Sequence, residues 1–377
     1  MRVIVAADDP TEKTNLIDAL KRKRVCTHVD EADFANVVDG VIRVQPDLII
    51  IGLRNERIPE YHALVSEVRE IAIGRIVVVG PTVEAKAVLK FLQEGAFQYI
   101  DQADFESDFE TVLTRIRSEP PPTVGQGRSI VVASAGGGCG ASTLAVNLAT
   151  ALMRKHGPVA LMDLNLESGD IATLLNLKPK HSISDFCRNV SRMDQSMFEN
   201  CMVAHPSGLH VLAAPPSLEQ IRDVTLRGIR RLIHMTRMKF PYVVIDVGFP
   251  FRQEHALALQ QAESIVLTLR PEFCSLNHAS RVIDFLSKAN VPTAKVKAVV
   301  NRYRRRMGVS LADVQTALGM KVSEVIPDDP RRVSVCNDRG VPIVTHKPRS
   351  LVARRLCALT HSLNGAVPKL DSQASVK

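Results

Sequence analysis

Tryptophan is absent from this 377-residue chain, and aromatic residues of all kinds make up only 4%. Base stacking on aromatic platforms, the common way to hold single-stranded nucleic acid, is thereby disfavoured. Seven cysteines occur, an odd number, and no two form a C-x-x-C pair. That argues against a disulfide framework and a zinc site, and fits a reducing cytoplasm. The eleven histidines do not group with Cys or carboxylates at ligand spacing. No apolar run approaches the roughly 18 residues of a membrane span. The opening MRVIVAADDP turns acidic too soon for a secretory signal. No G-x-S-x-G or paired Cys and His pattern marks a nucleophile.

What is present is ordinary for a globular protein: 45% apolar and 23% charged residues, over a length that suggests two domains. The boundary lies at Arg117-Ser-Glu-Pro-Pro-Pro-Thr-Val-Gly-Gln-Gly-Arg128. Proline lacks the N–H that helices and sheet ladders need, so residues 118–128 read as a semi-rigid linker. It divides a first domain, 1–117, from a second, 129–366, and a polar tail, 367–377, reads as disordered. The overall charge of +8 is unevenly spread: −5 in residues 1–118 and +13 in the remainder. Only the basic half is suited to phosphates, DNA or an anionic membrane.

The first half alternates strand and helix. Val3–Ala7, Asp47–Ile51 and Arg75–Val79 are short apolar runs of buried-strand type. Leu16, Ile17 and Leu20 share a helical face, and so do Phe34, Val37, Val38, Val41 and Ile42. Val88, Leu89 and Leu92 mark another helix, which leads into Gly95-Ala-Phe-Gln-Tyr-Ile100. The pattern predicts an α/β domain whose parallel sheet is covered on both faces. With Asp8-Asp9 after the first strand and Pro46-Asp-Leu-Ile-Ile-Ile51 as the third, this half resembles the receiver domain of response regulators. The resemblance places the phosphoacceptor at Gly52, the fourth-strand Ser/Thr near Gly80 with Thr82 close by, and the fifth-strand Lys at Gln102. Glycine has no oxygen to phosphorylate and glutamine no charge, so the fold is implied and the chemistry denied. Capping of the first helix beside Pro10 is preferred to metal binding for Asp8 and Asp9.

In the second half, the strand Ser129–Ala133 runs into Ser134-Ala-Gly-Gly-Gly-Cys-Gly-Ala-Ser-Thr143 and then an apolar helix. Strand, glycine-rich loop and helix form the context of a phosphate-binding loop. Glycines let backbone N–H groups turn inward around an anion, and the helix start presents its positive end to it. Ser142 stands where a hydroxyl can ligate Mg²⁺.

This loop resembles the deviant Walker A motif of the ParA/MinD family, K-G-G-x-G-K-[ST]-T. Gly137, Gly138, Gly140, Ser142 and Thr143 match, with Cys139 as the variable residue. The two family lysines fall on Gly136 and Ala141. Pro158–Asn165 resembles the family's D-x-D strand, with Asp163 kept and Asn165 where the water-positioning aspartate would stand. Phe240–Val247 resembles Walker B, with Asp246 as an indirect Mg²⁺ ligand, and Ala262–Glu272 resembles the strand that follows it. Ala298–Arg302 and Val325–Pro330 resemble the adenine-pocket segments, where Asn301, Pro327 and Asp328 would meet the base. The resemblance implies ATP and Mg²⁺ as ligands, a second doubly wound parallel sheet, and a homodimer that depends weakly on ATP, since Gly136 cannot reach across.

A receiver-like half joined to a lysine-poor ParA/MinD half resembles the TadZ/CpaE group of tight-adherence (Flp) pilus systems, as does Asp163-Leu-Asn-Leu-Glu-Ser-Gly-Asp170. That resemblance implies a scaffold that localises to the cell pole and recruits the pilus secretion ATPase, with weak or absent ATP hydrolysis. Two other readings stay open. One is an active ParA-like ATPase in DNA partitioning. The other is a MinD-like spatial regulator, at most peripheral to the inner membrane, for which Leu351–Leu359 is the one amphipathic candidate. Basic clusters at Arg227, Arg230 and Arg231, at Arg302 and Arg304 to Arg306, at Arg331 and Arg332, and at Arg354 and Arg355 could contact DNA phosphates. A solvated face is preferred for all except the group after Asn301, which could partly replace the missing lysines.

Overall fold

The computed structural model describes residues 2–22, 28–44, 46–54, 58–72, 74–118, 127–289, 291–304 and 308–363. Most of the expected linker, the polar tail, and Arg305 and Arg306 lie outside them. The chain divides into two compact units, Met1–Val124 and Gly125–Lys377.

The first unit has strands β1 (Arg2–Ala7), β2 (His28–Ala32), β3 (Leu48–Gly52), β4 (Arg75–Gly80) and β5 (Gln98–Asp101). Its helices are α1 (Pro10–Arg22), α2 (Val37–Val44), α3 (Ile58–Ile71), α4 (Ala85–Gln93) and α5 (Phe105–Ser118). The five strands are parallel in the order β2-β1-β3-β4-β5. That is the flavodoxin-like order, which places a functional crevice at the β1/β3 switch point. Period-two alternation sorts the strand residues between two cores. Ile4, Ile49, Ile51 and Val78 pack under α2, α3 and α4, while Val3, Val5, Ile50 and Val77 pack under α1 and α5.

Two expectations shift. β2, with sequence His-Val-Asp-Glu-Ala, carries no apolar run because it is a charged sheet edge. In α4 the buried anchor is Phe91, whereas Leu89 is 58% and Leu92 40% exposed.

The second unit contains β6 (Arg128–Ser134), β7 (Val159–Leu164), β8 (Val203–Ala204), β9 (Leu209–Leu212), β10 (Tyr242–Val247), β11 (Ser264–Leu269), β12 (Val296–Tyr303) and β13 (Val322–Pro327). Its helices are α6 (Ala141–His156), α7 (Ile171–Leu174), α8 (Ile183–Arg188), α9 (Gln195–Asn200), α10 (Leu226–Lys239), α11 (Gln253–Gln261), α12 (Phe273–Lys288), α13 (Leu311–Leu318), α14 (Pro330–Asp338), α15 (Ile343–His346) and α16 (Leu351–Leu363). The sheet order is β13-β12-β11-β6-β10-β7-β9-β8, parallel throughout except for β8 against β9. Val131, Met162, Ile245 and Leu267 face α8, α10, α11 and α12; Val132, Leu161, Val244 and Val266 face α6 and α16.

The ends of the expected linker lie against described elements. α5 runs to Ser118, and Gly127 already docks on the second unit, donating its N–H to Arg237 O at 2.6 Å. Helix α16 spends its apolar face, Val352, Ala353, Leu356 and Leu359, in the core. Among the described residues no helix is long and apolar enough to cross a membrane.

Candidate functional site

The crevice of the first unit is closed by its own side chains. Asp9 caps α1 by accepting the Thr11 N–H at 2.7 Å, and its other oxygen pairs with the Arg54 guanidinium. That hydrogen bond holds the Asp9 carboxyl below the usual carboxylate range. Asp8 accepts from the Tyr61 hydroxyl at 3.2 Å. A Cβ on Gly52 would stand 2.9 Å from Ala7 Cβ and 3.1 Å from Glu12 Oε1. The space over the expected phosphoacceptor position therefore holds the Glu12 carboxyl, which is buried with Oε1 lacking a hydrogen-bond partner. Burial, helped by the Asp9 charge, pushes it up to about 7. Thr82 donates to Asp101 at 2.5 Å, and Gln102 opens a short 3₁₀ turn.

The second unit gathers its motif residues at the carboxyl ends of β6, β7, β10 and β12. The loop Gly136–Gly140 is anchored from behind. Ala135 N–H donates to Thr268 O at 2.9 Å, and the Asn301 amide donates to Cys139 O at 2.8 Å. Gly138 and Gly140 have φ of +72° and +82°, a region that admits glycine freely. At Gly140 any Cβ would also stand 2.6 Å from Asn301 Nδ2. Helix α6 starts at Gly140 without a side-chain cap. The N–H groups of its first turn thus lack the usual internal partner and present positive ends to the cavity.

A cavity of about 350 Å³ lies there, lined by the loop with Ser142, Thr143, Asn165, Asp170 and Asp246. It adjoins a second of about 270 Å³ lined by Asn301, Pro327, Asp328, Val333, Ile343 and Leu356. Asp246 and Asp163 are register neighbours on β10 and β7 and make an instructive pair. Both Asp163 oxygens are spent on backbone, accepting from Asn165 N–H and Ile171 N–H at 3.1 Å each. Both Asp246 oxygens are buried with no hydrogen bond of proper geometry. Burial pushes the Asp246 carboxyl up to about 7; the Ser142 hydroxyl favours its charged form and Asp170 opposes it. An orphaned carboxylate beside a serine hydroxyl and an uncapped helix start fits a hydrated Mg²⁺ with an anionic nucleotide.

Of the candidate residues, Gly136 to Thr143, Asn165 and Asp246 line the first cavity, and Asn301, Pro327 and Asp328 line its neighbour. Asp163, expected among the cofactor-binding residues, is placed differently. It does not line either cavity, because its carboxylate is consumed in fastening the loop that carries Asn165 and Asp170. Asn301 is partly committed: one N–H of its amide donates to Cys139 O and its oxygen accepts the Arg302 N–H at 2.9 Å, which leaves its second N–H and a second lone pair on the oxygen for a base. The reading singled out neither Asp170 nor Asn337, whose amide donates to Thr143 Oγ1 at 3.3 Å. Asp170 closes the stretch beginning at Asp163 and could have been weighed; Asn337 gave no signal. Of the arginine clusters, Arg230 is buried, which lowers its guanidinium to about 10, and Arg231 donates to Met193 O at 3.2 Å. That cluster is therefore not a free face for DNA.

Similar proteins share the fold of the second unit. The septum site-determining protein MinD of Synechocystis is 24% identical over 257 residues, 66% of this chain and 94% of that one. A ParA family ATPase from Chlorobium tepidum matches with a TM-score of 0.60 at 21% identity, over 64% of this chain and all of that chain. MinD from Pyrococcus horikoshii, solved with Mg-ADP, matches with a TM-score of 0.56 at 21% identity, over 63% and 96%. The family model described as "ParA: NUBPL iron-transfer P-loop NTPase" matches residues 126–364, well over half the chain, and the protein belongs to this ParA family of P-loop NTPases.

Proposed function

We propose that this chain is an ATP·Mg²⁺-binding scaffold with little or no hydrolysis, acting as a dimeric localisation factor that recruits a pilus secretion ATPase. The observation that carries the reading is a site that has kept its binding parts and lost its late-acting charges. The glycine loop, the uncapped α6 start, Ser142 and the orphaned Asp246 remain. The lysines are replaced at Gly136 and Ala141, and a water-positioning carboxylate at Asn165. When bound, Mg²⁺ supplies charge to the phosphate oxygens. The chain's own residues orient the anion through backbone N–H groups, hold the metal's water shell through Asp246, and offer Ser142 as a direct oxygen. An oriented charge of the missing kind is commonly worth about 3 kcal/mol of barrier, or about a hundredfold in rate. Such losses are not additive.

The tight-adherence assignment draws its support from the pairing of a β2-β1-β3-β4-β5 sheet with the lysine-poor loop. The alternative, a MinD-like spatial regulator, draws its support from the Synechocystis relative. The test of the first claim is ATP affinity and steady-state phosphate release for wild type and Ala141→Lys. The expected result is about tenfold tighter ATP for the variant with little gain in release, since Asn165 still cannot position water. Wild-type release at the level of lysine-bearing relatives, abolished by Asp246→Ala, would make this an enzyme. The scaffold claim is checked separately by polar fluorescence of the tagged chain and by its binding to a purified pilus secretion ATPase. Diffuse signal and no binding would return the choice to the MinD-like reading.

A further inference from the structure

The geometry points to Arg302 as the side chain that holds the phosphate nearest the nucleoside, a cation entering from the end of β12 in place of those missing from the loop. This rests on the nucleotide-binding reading above and assigns one further residue to that site. Four residues line both cavities: Gly140, Thr143, Arg302 and Asn337. Arg302 is the only cation among them. It lines both the loop cavity and the neighbouring one that holds Asn301 and Pro327, the expected passage from phosphate to base.

Three features of the backbone aim it there. The β12–β13 pairing breaks register between Val300 and Tyr303, and such a bulge re-aims a side chain. Arg302 itself has φ of +54°, a left-handed conformation rare for a non-glycine residue. Residues held this way cluster where a site needs them. Its N–H donates to Asn301 Oδ1, and the Asn301 amide donates to Cys139 O, so Arg302 is tied to the phosphate loop by two hydrogen bonds in series.

Its charge is also uncommitted. Arg304 pairs with Asp328, Arg270 with Glu272 and Arg252 with Glu167. Arg302 has no carboxylate partner among the described residues, although it lies between the acidic groups of both cavities. A guanidinium offers a planar fork of donors matched to phosphate oxygens. A cation at this junction faces a phosphate common to ADP and ATP, so it adds affinity without discriminating between them.

The experiment is calorimetric titration of the full chain with adenosine, ADP and ATP, each with Mg²⁺. The variants are Arg302→Ala, Arg302→Gly and Arg302→Lys, with Arg281→Ala on α12 as a control for net charge. The expected result is a loss of about tenfold or more for ADP and ATP alike in the Ala and Gly variants. Adenosine should bind unchanged, Lys should restore part of the loss, and Arg281→Ala should match wild type. The Gly variant suits the left-handed backbone, so a folding defect confined to Ala leaves the test intact. Equal ADP affinity in wild type and Arg302→Gly overturns the assignment while leaving nucleotide binding in place. So does a parallel loss of adenosine, which would mean a purely structural role. A wild type that binds neither ADP nor ATP sinks the proposed function, and this inference with it.

Discussion

The crevices of the two units are built from the same parts and end in opposite conditions. Each parallel sheet brings aspartates to the carboxyl ends of its central strands. In the first unit every expected ligand is met from within: Arg54 pairs with Asp9, Tyr61 with Asp8, and Glu12 fills the space above Gly52. In the second, Asp163 is met from within but Asp246 is left with two buried, unbonded oxygens facing a cavity of about 350 Å³. The two crevices thus differ in whether the chain's own side chains occupy the space at the strand ends. Leaving a buried carboxylate oxygen unbonded is costly, and burial raises Glu12 and Asp246 alike to about 7; of the two, Asp246 lines the cavity beside the glycine loop.

The sharpest way to break this contrast is to neutralise one aspartate in each unit. Asp246→Asn should weaken Mg²⁺-dependent nucleotide binding by about ten- to a hundredfold, the usual cost of an outer-shell metal partner. Asp9→Asn should leave it unchanged. Comparable losses in the two variants, measured by titration with and without Mg²⁺, would erase the distinction. The next test asks only for presence or absence. Acetyl phosphate should leave residues 1–118 unmodified by mass spectrometry, because Gly52 offers no acceptor oxygen. A phosphorylated peptide from that half would reopen the first site.

How far the sequence could reveal this depended on whether a residue's partner was local. The buried strands were legible because apolar runs such as Leu48–Ile51 and Val243–Ile245 need both faces covered. β2 was not, because an edge strand needs only backbone pairing. The loop from Gly136 to Thr143 was legible from its own glycines. The hydrogen bonds of Asp163 were not legible, because its partners, the Asn165 and Ile171 N–H groups, are backbone and leave no mark in sequence. Arg54 and Glu12 were missed for a related reason. Their positions mean something only once β1, β3 and α1 converge.

Glu12 gives a smaller test of the closed site. Its carboxyl titrates near 7 when folded and near 4.5 when unfolded. Between those values the folded state binds the extra proton, so stability is fullest below about pH 4.5 and is lost as pH rises toward 7. Glu12→Gln removes that slope. It should stabilise the first unit at pH 8 by about 1–2 kcal/mol, allowing for partial solvent screening, and leave it nearly unchanged at pH 5. Equal melting shifts at both pH values would mean that the carboxyl is solvated and the crevice open.

The smallest effect concerns where strain is stored. Among the described residues the non-glycine positions with positive φ are Asn176 and Arg302, both in the second unit. Asparagine tolerates this region; arginine does so at a cost of about 1–2 kcal/mol. Replacing Arg302 by glycine recovers that cost but adds unfolded-chain freedom worth about 0.4–1 kcal/mol. The balance predicts a nucleotide-free second unit more stable by about 0.5–1 kcal/mol, seen as a higher denaturant midpoint at unchanged slope. Arg302→Ala keeps the left-handed cost and should show no such gain. Stability and affinity would then move in opposite directions at one residue, as expected where strain serves a ligand. A fall in the midpoint for Arg302→Gly would mean that the arginine holds the fold together rather than storing strain for a ligand.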